Sequence, residues 1–271
     1  MIYVQRTNKP VELTQEVIEK LTSEFFKDRK KPVWNQPYIK QGLLKMSHEK
    51  CCYCEKKIGE GVADVHVDHF NPKSIFPEKV LDWNNLLPSC AECNRSKLDH
   101  DTVKEPIINP CNEDPKLYFY LAYCRYQAFD TSGNSKANIT IDVLGLNNTK
   151  SKCLRRYEIV EKLLNKQHEI CIYAKEDISA INTDTRKRNK IINTCRDLLE
   201  MCTPNAEYSA FTATALLKSQ EYSELKTLLQ NINQWNDELE ELDQKSQKCV
   251  FKTSPINMEV INELGIAIRN Y

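Results

Sequence analysis

The chain has 271 residues, 41% of them hydrophobic and 28% charged, a length and balance that suit two compact units or one unit with a large extension and exclude a disordered chain. Lysine plus arginine number 38 and aspartate plus glutamate number 38, so the formal net charge is zero. That counts against an autonomous tight nucleic-acid binder, because neutralising phosphates and releasing counterions ordinarily demands a basic excess, although a local basic groove remains open. From Met1 through Thr14 charged and polar residues recur, leaving no apolar core for a signal peptide, and no later stretch approaches the roughly 20 apolar residues of a membrane span.

In chain order, Val11 to Arg29 places Val11, Val17, Ile18, Leu21, Phe25 and Phe26 at helical spacing and ends in the basic run Lys27, Arg29, Lys30, Lys31 before Pro32, which predicts an opening helix. A second, short helix is expected from Pro37 to Glu49. Val62 to His69 alternates with a period near two and reads as a strand ending at Asp68-His69. Pro72 and Pro77 bound a loop, Trp83 to Pro88 forms a second extended piece, and a helix starts with Asn94 as its cap. The proline-, asparagine- and aspartate-rich stretch Pro106 to Pro115 marks a boundary near Pro110, giving units 1–110 and 111–271. Beyond it the tyrosine-rich Leu117 to Phe129, the turn Asp130 to Asn134 and the strand-like Ala137 to Leu144 suggest a small hairpin. Asn148 or Thr149 caps a long helix running to about Asp177, and further helices are expected at 186–202, 206–219 and 220–248.

Of twelve cysteines, Cys124, Cys153, Cys171, Cys195, Cys202 and Cys249 stand singly in helix-like segments, as reduced, buried small hydrophobes do. Others cluster, as Cys51-x-x-Cys54 and Cys90-x-x-Cys93, and two such pairs in a chain of the reducing cytosol point to one metal ion rather than to disulfides. Four thiolates close a tetrahedral shell around zinc and leave no open position, so the expected role is structural. Cys52, next to the first pair, is expected to point away.

Between the pairs lie His66-Val-Asp-His-Phe-Asn-Pro-Lys-Ser74 and Trp83-Asn-Asn-Leu-Leu-Pro-Ser-Cys90-Ala-Glu-Cys-Asn-Arg-Ser-Lys97. These segments resemble the HNH, or His-Me finger, nucleases, whose pattern is Asp-His, then Asn-Leu shortly before a cysteine, then Cys-x-x-Cys followed by Asn or His with a lysine nearby. The resemblance implies a ββα-metal core around one divalent ion. Asp68 and Asn94 offer hard oxygen ligands suited to magnesium or manganese. His69, with an ordinary pKa near 6.5, is the expected general base. Asn85 matches the middle asparagine, which in the family orients the histidine ring, with Asn84 as the fallback. Lys73, Arg95 and Lys97 are candidate phosphate contacts. His66 shares the Asp68 face of the strand and is a candidate for metal or substrate contact. His48, His100 and His168 are expected to face solvent. The last motif position is Asn94 instead of histidine, which leaves the metal preference open.

Lys50-Cys-Cys-Tyr-Cys-Glu55, Val67-Asp-His-Phe-Asn-Pro-Lys-Ser74, Ile107-Ile-Asn-Pro-Cys-Asn-Glu-Asp-Pro115 and Ile139-Thr-Ile-Asp-Val-Leu-Gly-Leu-Asn147 look like a narrower bacterial family. This is the HNH nuclease subunit of the Septu anti-phage defence system, also found beside retrons, and the likeness runs from about residue 30 to about residue 220. Membership implies DNA as substrate and an ATPase subunit that controls cleavage. The expected fold is therefore α+β and mainly helical, a zinc-braced ββα nuclease core followed by a helical partner-binding region. Two other readings remain: a zinc-containing nucleic-acid-binding module without catalysis, and a stand-alone restriction-type HNH enzyme.

Overall fold

Thr14 accepts a hydrogen bond from the Val17 N–H at 3.2 Å and thereby starts α1 (Gln15–Lys27), which buries Phe25 and stops where Asp28 turns extended. In this computed structural model, which describes residues 1–59, 61 and 65–254, α1 is shorter than the expected Val11–Arg29: Val11 is 87% exposed and lies ahead of the cap. Proline at the first position opens α2 (Pro37–Met46), whose Ile39, Leu43 and Met46 form one buried face set against the strand β2 (Leu86–Ser89). Of the expected strand Val62–His69, residues 62–64 lie outside the described residues, and His66–His69 forms β1. It pairs antiparallel with β2, Asp68 opposite Leu87 and His69 opposite Leu86. Trp83–Asn85, expected to be extended, is instead a single 3-10 turn, capped by the Asp82 carboxylate accepting from Asn84 N–H at 3.0 Å. The helix α3 (Ala91–Lys97) begins earlier than expected: Cys90, not Asn94, is its cap, with Cys90 Sγ accepting from Cys93 N–H at 3.4 Å. α3 packs on β1, completing a ββα unit.

A second two-stranded sheet joins β3 (Phe119–Ala122) to β4 (Arg125–Ala128) through Tyr123-Cys124, with Tyr123 at a φ of 54°. The hairpin therefore lies wholly before the Asp130 turn. Ala137–Leu144, read as a strand for its β-branched residues, is the helix α4 (Lys136–Val143). Ser135 Oγ caps it by accepting from Asn138 N–H at 3.2 Å, and Thr140 Oγ1 donates back to Lys136 O at 2.6 Å and accepts from Ile108 N–H at 2.9 Å. Cap and tertiary bonds outweigh the strand propensity of the segment.

The chain divides into two compact units, Met1–Phe119 with Arg125–Lys152, and Tyr120–Cys124 with the residues from Cys153 on. Pro110 lies inside the first, its carbonyl accepting from Val4 N–H at 2.9 Å. The second unit is built of helices: α5 (Leu154–Glu176), α6 (Ile178–Thr183), α7 (Thr185–Glu200), α8 (Ser209–Leu217), α9 (Gln220–Asn231) and α10 (Asp237–Gln247). A turn of π-helix over Thr149–Cys153 leads into α5, and Asn148 Oδ1 accepts from Lys150 and Ser151 N–H at its start. The expected helix over 220–248 is two, separated where Asn233 takes a φ of 57°. α5 packs against α7, α8 and α9, and α8 is buried on nearly every side. Among the described residues no helix is long and apolar enough to cross a membrane.

Candidate active site

Cys51, Cys54, Cys90 and Cys93 converge so that their sulfurs all lie within 4.8 Å of one another, all buried. Zinc–sulfur bonds of about 2.3 Å arranged tetrahedrally place sulfurs about 3.8 Å apart, and Cys54 and Cys90 stand 3.7 Å apart. The donor set and its spacing therefore fit a zinc ion. Burial works against ionising Cys51, yet its hydrogen bond with Cys54 holds the thiol below its ordinary value; Cys90 is lowered through its hydrogen bond with Cys51. The buried ammonium of Lys152, bonded to Leu144 O at 2.7 Å and Gly145 O at 3.0 Å, is held in the charged form against its burial by the negative potential of Cys93 and Cys54. A cation here offsets the excess negative charge that four thiolates leave around one zinc. Cys52 is buried outside the group, as expected.

Beside the cysteine group, a polar cleft of about 730 Å³ is lined by Asp68 and His69 from β1, Asn94 and Arg95 from α3, and Trp34 and Lys73 from loops. His66 lines it as well. His69 is 5% exposed, and its Nε2 lies 2.9 Å from Val80 O. A carbonyl only accepts, so Nε2 carries the proton and Nδ1 is left with the lone pair. Burial pulls the imidazole down to about 4, so the ring is neutral at pH 7 and able to take a proton.

Asp68 is 3% exposed and held at both oxygens: Tyr53 Oη donates to Oδ2 at 2.6 Å and Lys97 Nζ to Oδ1 at 3.2 Å. Lys97 also donates to His69 O at 2.7 Å and is 2% exposed. It is thus no surface contact for phosphate, as its sequence position suggests, but the buried brace of the Asp68-His69 pair. Its aliphatic stem lies on the buried face of α3, three residues beyond Asn94, and the charge there is tolerable because Asp68 opposes it. Tyr53 belongs to the first cysteine knuckle, so that knuckle reaches directly to the carboxylate.

Of the two adjacent asparagines, Asn84 is exposed and Asn85 buried. Asn85 is hydrogen-bonded to the backbone and not to the imidazole. Its Oδ1 accepts from Asn71 N–H at 2.7 Å and its Nδ2 donates to Asn71 O at 3.0 Å and Lys79 O at 3.2 Å. Lys79 O is the carbonyl next to Val80 O, so Asn85 pins the loop whose following carbonyl orients His69. Asn94 is half-buried in the middle of α3, Arg95 is exposed, and Lys73 is half-buried with Nζ 4.8 Å from the Trp34 ring. His48 and His168 are exposed, and His100 is tied to Glu105 O at 2.7 Å. Sequence reasoning misses Tyr53, Trp34 and the Val80 carbonyl; only Tyr53, sitting between two knuckle cysteines, carried a signal.

The HNH endonuclease family matches residues 51–100, the interval that holds both cysteine pairs, Asp68, His69, Asn85 and Lys97. Over 250 residues, 92% of this chain and 95% of the relative, the sequence is 35% identical to the Septu protein PtuB of Bacillus thuringiensis. A second Septu protein PtuB, from Bacillus mycoides, is 29% identical over 156 residues, 42% of this chain and 52% of the relative. Protein ea31 of Escherichia phage lambda is 35% identical over 82 residues, 30% of this chain and 25% of that protein.

Proposed function

The chain belongs to the PtuB family of Septu HNH proteins, and from that membership and the cleft we propose that it hydrolyses DNA phosphodiester bonds as the nuclease of an anti-phage defence complex controlled by an ATPase subunit. The observation that carries this reading is His69, neutral and held at Nε2 by Val80 O, beside a braced Asp68 in a polar cleft. His69 Nδ1 takes the proton of the attacking water. Asp68 and Asn94, both lining the cleft and both offering hard oxygens, would hold one magnesium or manganese ion. Such an ion supplies charge stabilisation for the phosphate and the leaving oxygen. Tyr53 and Lys97 fix the Asp68 carboxylate, while Lys73, Arg95 and His66 meet the phosphate backbone. Zinc on the four cysteines is structural. The site is enclosed by the bacterial cytoplasm in this reading, where the thiols stay reduced.

With zero net charge, the chain alone grips DNA weakly, and the helical region docks on the ATPase, which supplies affinity and control. The test is plasmid cleavage with magnesium or manganese, with and without chelator, and with and without the co-expressed ATPase product of the neighbouring gene. Metal-dependent cleavage raised by the partner, with both chains in one size-exclusion peak, is expected. No cleavage under any of these conditions sinks the nuclease reading, while two separate peaks at micromolar concentration with full cleavage by this chain alone sink the partner.

A further inference from the structure

The connection between α1 and α2 carries the basic run and Trp34, and it lies outside the residues matched to the HNH family. It nevertheless forms one side of the cleft, through Pro32, Trp34 and Asn35, with Lys40 of α2 beside them. The segment is built rather than loose. Val33 is 2% exposed, Asn35 N–H donates to Pro32 O at 2.9 Å, and Gln36 Nε2 donates to Val33 O at 3.1 Å. Within it the Trp34 ring stands edge-on to His69, centroids 5.0 Å apart and planes at 89°. On another side Trp34 meets Phe25, buried in α1, at 5.9 Å and 81°. A chain of ring contacts thus runs from the core of α1 to the imidazole.

We propose that Trp34 is a positioning residue for His69, so that the α1–α2 connection belongs to the catalytic cleft. The in-plane hydrogen bond to Val80 O holds the Nε2 end of the ring, and the perpendicular indole blocks rotation of the imidazole about its Cβ–Cγ bond. Both constraints are needed to keep Nδ1, rather than Nε2, turned to the attacking water. Trp34 has a third neighbour in Lys73, whose ammonium lies 4.8 Å from the indole centroid. That cation–π contact parks a phosphate-binding charge beside the general base.

This inference rests on the nuclease reading, and its test separates the two. Trp34→Leu and Trp34→Phe both keep apolar bulk, and only phenylalanine keeps an aromatic edge; Trp34→Met replaces the leucine variant should that one lose zinc or melt early. Plasmid cleavage with manganese is expected to show a kcat about 10²-fold lower in Trp34→Leu, the scale of a misplaced catalytic group, with KM nearly unchanged. Trp34→Phe recovers most of the turnover. In parallel, ¹⁵N-histidine NMR reports the tautomer without any turnover: a single Nε2–H form in wild type and Trp34→Phe, a mixture in Trp34→Leu. Wild-type kcat and an unchanged imidazole spectrum in Trp34→Leu overturn the proposal, as does an equal loss in both variants with raised KM, which marks Trp34 as a substrate contact. A wild-type chain that cleaves neither alone nor with the co-expressed ATPase removes the nuclease reading, and the tautomer measurement still decides the role of Trp34.

Discussion

In the first unit β1 and β2 have four residues each and α3 has seven, whereas α5 in the second unit has 23 and α7 has 16. Elements as short as the former do not hold themselves: a two-stranded sheet is marginal alone, and a helix of two turns lies below the length at which helices persist in water. What holds them is their surroundings: the buried face of α2 packed on β2, the four-thiol group, and the buried contacts of Asp68 with Tyr53 and Lys97. The second unit is held by apolar helix faces, Leu163, Ile170, Ile191, Leu198 and Leu229 among them, each fully buried side chain contributing about 1.5–3 kcal/mol. The polar cleft lies among the short elements, where side-chain contacts between polar groups add to the packing of Ile39, Leu43, Leu86 and Leu87. The same residue type is used in both ways. Cys51 and Cys90 are held below the ordinary thiol value by their sulfur neighbours, which push Cys93 up in turn, while burial is the main push that takes Cys171 and Cys195 up to about 12.

The sharpest way to break this contrast is to remove a ligand from the cross-link. Cys90→Ser should cost the first unit most of the binding energy of a structural zinc, on the order of 10 kcal/mol, because at such a site binding is folding. Hydrogen exchange by mass spectrometry should then show β1, β2 and α3 unprotected while α5, α7 and α8 keep their protection. Zinc-free, active wild-type protein by elemental analysis, or uniform loss of protection across both units, would refute the division of labour.

His69→Ala tests the chemistry apart from the frame. A general base contributes about 10²–10⁴-fold, so cleavage should fall by that factor while zinc content and melting temperature stay close to wild type. Turnover at the wild-type rate would remove the assignment. Lys97→Ala acts on the frame from the other end. It strands the carboxylate of Asp68, 3% exposed, with Tyr53 as its one remaining hydrogen-bond partner among the described residues, and breaking a buried pair in this way costs about 3–5 kcal/mol. Chemical denaturation would read this as a lower midpoint, and an unchanged midpoint would mean that water already replaces the ammonium.

Much of this contrast is legible in the sequence, unevenly. The helices of the second unit follow from apolar spacing where packing and pattern agree, as in α7. The cysteine pairs are legible because their spacing brings four sulfurs within 4.8 Å of one another, and the Asp-His and Cys-Asn pieces because Asp68, His69 and Asn94 line one cleft. The α4 segment misleads, since Ile139, Thr140, Ile141 and Val143 favour strands and only the Ser135 cap and the Thr140–Ile108 bond settle it as helix. Lys97 misleads for another reason: a lysine in a basic run looks solvated, and its burial depends on an aspartate 29 positions away. Trp34 leaves no local trace at all, because what distinguishes it is a ring contact with His69, far along the chain.

The mildest change is the one that should do least. Cys195, 3% exposed in α7, has its thiol pushed up to about 12, mainly by burial and with Cys171 adding to it. At pH 7 a thiol with that value carries roughly one thiolate in 10⁵, so it should resist a maleimide as long as the helices stay packed. Cys195→Ala removes one sulfur from an apolar site and should cost about 1 kcal/mol, the typical price of a small core truncation, with zinc content and cleavage unaffected. Labelling the native protein tests the same point without a substitution. With zinc in place, neither set of cysteines should react quickly; after chelation Cys51, Cys54, Cys90 and Cys93 should label within minutes, and Cys195, Cys171 and Cys202 only when the second unit unfolds. Peptide mapping distinguishes the two sets. Early labelling of Cys195 on chelation would mean that the helical unit opens together with the metal site, and the two means of holding the fold would then be one.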